Sequence, residues 1–313
     1  MRSDSSKTDL PCQLVFLLGT GRCGSTLLEE VLARHPDMGF ISNVDAYLAA
    51  LGPKGRWNNL LYQRTPGALS QRDRLSRFQS LQKRLHYGPS EAWSLLYNEV
   101  SPTVVAPFRD LTEDDVTPWM RRRFERFYGQ RIFAQKKGFF LHKYTGWPRA
   151  RFLHAIFPRA KFVHVIRDGR AVASSLLQMP WWRGYLGPSE WRFGPLPENY
   201  EQEWEKSGRS FVALAGIEWK IMIDAFEAAK RAIPAGGWLD IRYEELVDDP
   251  REEVGRVVKF LGLPWTEEFD ARFSRHIFSK SRRQSFLNDL STSQIDLLND
   301  LLSDHLRSLD YSI

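Results

Sequence analysis

Two periods alternate along the chain. Residues 14–18 form a five-residue apolar run, which predicts a short strand buried on both faces and broken by Gly19 and Gly21. From Ser25 the spacing changes: Leu27, Leu28, Val31 and Leu32 recur as on one face of a helix. A glycine-bearing loop therefore joins a strand to a helix amino end. His35-Pro36 closes that helix, residues 39–42 predict a short second strand, and residues 43–51 predict a helix with Val44, Tyr47, Leu48 and Leu51 on one face. Residues 52–135 read as a largely helical insertion with breaks at Gly52-Pro53, Pro66-Gly67 and Gly88-Pro89. Thr112 with Asp115 predicts a capping box for a helix running towards Tyr128, on which Arg121-Arg122-Arg123 reads as a solvated face.

Further strands are predicted over residues 138–142, 161–166 and 238–242. The second of these leads through Arg167-Asp168-Gly169-Arg170 into a helical run that ends at Leu177. Residues 178–200, with Trp181, Trp182, Trp191 and four prolines, fit no period and read as a long ordered loop. Residues 200–231 read as mostly helical, and residues 250–261 as a helix stopped by Gly262 and Pro264. Residues 291–308 close the chain as an amphipathic helix.

Strands alternating with helices predict an α/β fold, a three-layer sandwich around a mainly parallel sheet. The expectation is one domain over 1–313, with the insertion at 52–135 and a C-terminal helical segment at 265–313. In such sheets ligands bind beyond the carboxyl ends of the strands. Arg22, Lys143, Arg167 and Arg242 are all expected to emerge there and to surround one polyanionic ligand.

Composition narrows the setting. The polar first dozen residues, and the absence of any apolar run near the ~18 residues of a membrane span, predict a soluble chain without a signal peptide or transmembrane segment. Cys12 and Cys23 make no disulfide framework, no His/Cys cluster has zinc spacing, and no Asn-x-Ser/Thr sequon occurs, which favours a reducing cytoplasm. A net charge of +6 and a pI near 9.3 favour anionic ligands without choosing among nucleotide, glycan, nucleic acid or lipid headgroup.

The chemistry concentrates in the first loop. Helix-start amides lack internal partners, and small residues let a phosphate approach them. Gly19-x4-Gly24 followed by Ser25-Thr26 resembles a Walker A loop, but Ser25 stands where that loop has lysine, and Arg22 is the loop's cation.

Three segments in order resemble the signature of sulfotransferases that use 3'-phosphoadenosine 5'-phosphosulfate, in the bacterial and tyrosylprotein-sulfotransferase-like branch with a P-loop-like fold. Gly21-Arg22-Cys23-Gly24-Ser25-Thr26-Leu27-Leu28 is similar to the 5'-phosphosulfate loop. Residues 162–175 are similar to the 3'-phosphate motif, with Arg167 and Ser175 eight apart, and residues 241–250 are similar to the Arg-Tyr-Glu-Asp-Leu stretch. The resemblance implies that Gly21 and the amides of Cys23, Gly24, Ser25 and Thr26 hold the 5'-phosphate, while Arg22 faces the sulfonate. It implies that Arg167 and Ser175 clamp the 3'-phosphate, that Lys143 stabilises the leaving phosphate and that no metal is needed. Tyr243 reads equally as a donor contact or a core aromatic, and Lys280 and Arg282 as a basic lid or a solvated run.

The base departs from the pattern. Thr145 stands where small-molecule sulfotransferases carry histidine, two residues past the lysine, and Ser42 and Asn43 stand where the other branch carries glutamate. Asp45 is the nearest carboxylate and the expected base, with His142 and His86 in reserve and His164 as a core histidine. The expected reaction moves a sulfuryl group to a hydroxyl, or less often an amine, of a small-molecule, lipid or glycan acceptor. Trp181, Trp182, Tyr185, Trp191 and Phe193 either line an acceptor pocket or pack the loop on itself. The alternatives are a P-loop kinase or NTPase acting on a small molecule and, more remotely, a nucleic-acid-binding module.

Overall fold

The computed structural model describes residues 10–42, 45, 54–58, 62–63 and 88–313. The expected helix over 43–51, save Asp45, most of the first part of the insertion, and His86 lie outside them. Five strands, β1 Gln13–Gly19, β2 Met38–Phe40, β3 Phe139–Thr145, β4 Lys161–Ile166 and β5 Trp238–Arg242, form a parallel sheet in the order β2-β3-β1-β4-β5. β1 lies at the centre, and the chain passes across it between β3 and β4. The carboxyl ends of these three strands therefore adjoin at the point where the winding direction changes, which is where α/β sheets open a crevice.

The apolar run of β1 explains its central place. Leu14, Phe16 and Leu18 pack on one face with Phe140, Tyr144 and Phe162, beneath the helices Pro118–Gln135, Ala150–Ile156 and Phe211–Ala232. Val15 and Leu17 pack on the other with Leu141, Val163, Val165 and Ile241, covered by Ser25–Leu32 and Pro250–Leu261. Each such side chain stabilises the fold by about 1.5–3 kcal/mol when fully buried. No residue of β1 between Leu14 and Leu18 is more than 4% exposed, so both faces are covered.

Several boundaries differ from the expected ones. β3 continues past His142 to Thr145, so Lys143 lies within the strand, opposite Leu17. Polar residues hid this: His142 and Tyr144 are buried together, each hydrogen-bonded to the Tyr128 hydroxyl, at 2.6 and 3.0 Å. β2 stops at Phe40, and Ser42 only bridges Pro89. The Thr112/Asp115 capping box opens a single turn, Glu113–Asp115, whereas the long helix starts at Pro118 with Thr117 as its cap. The helix expected over 200–231 is two, Glu198–Lys206 and Phe211–Ala232, parted by Gly208 and Arg209 at φ of 65° and 55°. Among the described residues no helix is long and apolar enough to cross a membrane.

Candidate functional site

A cleft of about 1330 Å³ opens at the carboxyl ends of β1, β3 and β4. Gly21, Arg22, Gly24, Ser25, Thr26, Lys143, Arg167, Tyr243 and Arg282 line one part of it. The first loop owes its shape to glycine: Gly21 and Gly24 have φ of 85° and 91°, and a Cβ on Gly24 would stand 2.2 Å from Cδ2 of Tyr243. The Tyr243 ring thus packs against the loop as well as facing the cleft. The helix Ser25–Leu32 begins with no side-chain cap and no acidic residue in its first turn. Its first amides are left for a ligand. Cys23 is buried, and its Sγ fills the space a Cβ on Gly19 would take, so its side chain belongs to the core and does not line the cleft.

The cations are placed by hydrogen bonds from neighbouring elements. Arg22 Nε donates to Ser175 Oγ at 2.9 Å, which joins the two ends of the expected donor site, although Ser175 itself does not line the cleft. Arg167 donates to the Arg22 carbonyl at 2.8 Å and to the Arg282 carbonyl, and its guanidinium lies over Tyr243 at 4.6 Å. Its Nε is buried and has no partner among the described residues. Lys143 Nζ lies 2.9 Å from Glu29 Oε2, 2.9 Å from Thr26 Oγ1 and 3.9 Å from Glu91 Oε1. Burial alone pulls the Lys143 pKa down, but Glu29 and Glu91 more than offset it and hold the ammonium above its ordinary value.

Other expected residues lie elsewhere. Arg242 does not join the cleft: it donates to the carbonyls of Leu309 and Asp310 and stacks on Tyr311, so the C-terminal segment takes up its donors. Lys280 pairs with Asp248 at 3.1 Å and does not line the cleft, whereas Arg282, Ser279 and Ser281 do. Asp45 is only 5% exposed, accepts from Ser42 N and Asn58 Nδ2, and is not among the lining residues. His142 is enclosed between the Tyr128 hydroxyl and the Glu91 carbonyl, and burial pushes its pKa down to about 3. It is neutral and out of reach of the cleft. His164 is likewise buried, stacked on Phe226.

The carboxylate that does reach the cleft is Glu91. Its Oε1 accepts from Thr145 Oγ1 at 2.6 Å and its Oε2 from Trp93 Nε1 at 2.7 Å, so both oxygens are oriented. The side chain stays 25% exposed. Ala92 follows at φ 52°, the turn that brings Glu91 to the start of the helix Trp93–Glu99. No spacing in the sequence links this insertion residue to β3. The one signal was Thr145 in a histidine's place, which now positions the acid from another element.

Beyond Glu91 the cleft turns apolar, along Trp93, Pro107, Trp147, Met179, Trp181 and Phe193, with Arg192 among them. The aromatic residues of the 178–200 loop divide between the cleft and the core. Trp182 and Trp191 are buried against the core, Trp182 Nε1 donating to Glu218 of the helix Phe211–Ala232 at 2.8 Å, while Trp181 and Phe193 face the cleft and Tyr185 is exposed outside it.

A family profile described as "Sulfotransferase family" matches residues 14–267. No curated protein matches the chain in sequence. Among solved structures, sulfotransferase STF9 from Mycobacterium avium matches with a TM-score of 0.57 at 18% identity, over 97% of this chain and 78% of that one. Sulfotransferase STF1 from Mycobacterium tuberculosis matches with a TM-score of 0.53 at 16% identity, over 94% of this chain and 77% of that one. At these identities the likeness is one of fold.

Proposed function

The chain belongs to the sulfotransferase family, and from that premise we propose that it moves a sulfuryl group from 3'-phosphoadenosine 5'-phosphosulfate to a hydroxyl of an organic acceptor. The observation that carries the reading is the convergence on one cleft of Arg22, Lys143 and Arg167 beside an uncapped helix start. These groups come from the ends of β1, β3 and β4. The buried Nε of Arg167, which has no partner among the described residues, fits a ligand with a second phosphate at this end. An ATP site would instead carry lysine at Ser25.

When bound, the donor supplies the sulfuryl group and a phosphate leaving group. The amides of Gly24, Ser25 and Thr26 hold the 5'-phosphate in this reading, and Arg167 with the 279–282 segment holds the 3'-phosphate. Arg22 and Lys143 present fixed positive charge where negative charge grows as the bond to the leaving oxygen lengthens. Glu29 keeps Lys143 charged and aimed. Glu91 takes the proton from the acceptor hydroxyl onto its carboxylate, which Thr145 and Trp93 hold in place. Glu91 thus assumes the role the sequence had assigned to Asp45.

The test is transfer of label from sulfur-35 donor to a panel of phenols and alcohols. Glu91→Gln is expected to lower kcat by about 10²–10⁴-fold, the range of general acid–base catalysis, with 3',5'-adenosine bisphosphate affinity kept within about twofold of the parent, the scatter found between independent sites. Asp45→Asn is expected to keep its turnover. Full activity in Glu91→Gln would move the base elsewhere, and label transfer from ATP instead would favour a kinase.

A further inference from the structure

We propose that the acceptor carries a carboxylate on a ring system, and that Arg192 reads it. This rests on the sulfotransferase reading of the same cleft. Arg192 lines the apolar arm with its guanidinium 5.7 Å from the Trp181 ring and 4.8 Å from that of Phe193. A Cβ on Gly146 would lie 3.8 Å from Arg192 Nη2, so the cation stands beside the residue after Thr145, which orients Glu91. One wall of the cleft therefore carries a base for a hydroxyl and, next to it, a guanidinium between aromatic rings.

That guanidinium has donors to spare. Among the described residues Arg192 makes no hydrogen bond, and its side chain is 46% exposed. Its nearest acid is Glu218, at 3.9 Å, beyond hydrogen-bonding distance. Glu218 is 2% exposed, gives its other oxygen to Trp182, and is pushed by burial to a pKa of about 7, so it balances Arg192 only in part at neutral pH. The other guanidinium in this arm, Arg149, is consumed by the carbonyls of Val104, Val105 and Trp147 at 2.8, 3.2 and 2.6 Å. A single under-used fork suits a monoanion held by two parallel hydrogen bonds, as a carboxylate is. Aromatic walls on either side suit rings next to that group.

The probe pair is 7-hydroxycoumarin-4-acetate and its methyl ester, which share the ring system and differ in the charge that Arg192 would meet and in one methyl group. Each is titrated by its own fluorescence into enzyme saturated with 3',5'-adenosine bisphosphate, whose binding is measured first on the same sample. The acid is expected to bind at least about 10-fold more tightly than the ester, the low end for a charge-assisted hydrogen bond. Arg192→Gln is expected to bring the two within about twofold, and Arg192→Lys, which keeps the charge but loses the fork, to restore part of the preference. Equal affinity, preference for the ester, binding of neither probe, or an unchanged ratio in Arg192→Gln overturns the proposal while leaving the donor reading intact. Failure of the bisphosphate itself to bind overturns both. Should Arg192→Gln fail to fold, the acid-to-ester ratio of the parent still decides.

Discussion

Lys143 is the cation to which the proposed function gives the leaving phosphate, and its setting explains how a 6%-exposed ammonium stays charged. Glu29 is a salt-bridge partner, Thr26 accepts a hydrogen bond, and Glu91 stands at 3.9 Å, so removing the charge would strand a buried carboxylate. Lys143→Met is expected to lower turnover by about 10²–10³-fold, the usual loss for a group aimed at developing charge. Steady-state kinetics beside bisphosphate titration checks this, and a fall confined to donor affinity would make Lys143 a binding residue only. The residue scale is also where the sequence was least legible. Arg22 and Arg167 announced themselves by their place after strands, because a strand end is visible as a change of period. Glu91 could not, since its partner Thr145 is 54 positions away and only folding brings the two oxygens within 2.6 Å. Asp45 looked eligible by distance along the chain, and its hydrogen bonds to Ser42 and Asn58 turn it inward.

At the scale of elements, the first loop works because two glycines do different things. Gly21 has φ 85° and open space about it, whereas Gly24 has φ 91° and the Tyr243 ring where a Cβ would go. Alanine at either position bears the left-handed backbone cost of roughly 1–2 kcal/mol, and at Gly24 it must also displace the ring. Gly24→Ala is therefore expected to lose more bisphosphate affinity and more Tm than Gly21→Ala; equal losses would show that Tyr243 does not press on the loop. The aromatic loop is pinned from beneath by Glu218 through Trp182. Burial raises the Glu218 pKa from 4.5 to about 7, so between these values the unfolded carboxyl is ionised while the folded one keeps its proton. That linkage contributes stability at low pH that is lost as pH rises through 7. Glu218→Gln keeps an acceptor for Trp182 and removes the titration, so its Tm advantage should grow from pH 5 to pH 8. A constant difference, or a loss at pH 8, would contradict this. The strands of this element set were legible from their apolar runs, whereas β3 was read short because Lys143 interrupts its pattern although it is buried.

For the whole molecule, the parallel sheet followed from the alternation of short apolar strands with helices, and the change of winding at β1 follows from the order β2-β3-β1-β4-β5. That order gathers Arg22, Lys143 and Arg167 at one crevice from positions spread over 145 residues of separation. Arg242, at the end of the edge strand β5 and in register with Ile166, does not join them because its guanidinium is held by the carbonyls of the C-terminal segment instead. Membership of the family rests on the match over residues 14–267, and the donor is the central claim built upon it. The most direct measurement is calorimetric titration of the full chain, without metal, by 3',5'-adenosine bisphosphate, in parallel with ATP and magnesium. The account predicts saturable binding of the bisphosphate, weakened by about 1.5–3 kcal/mol in Arg167→Ala, the scale of a hydrogen bond to a charged group, and much weaker binding of ATP. Tighter binding of ATP, or a bisphosphate affinity indifferent to Arg167→Ala in a folded variant, would contradict it.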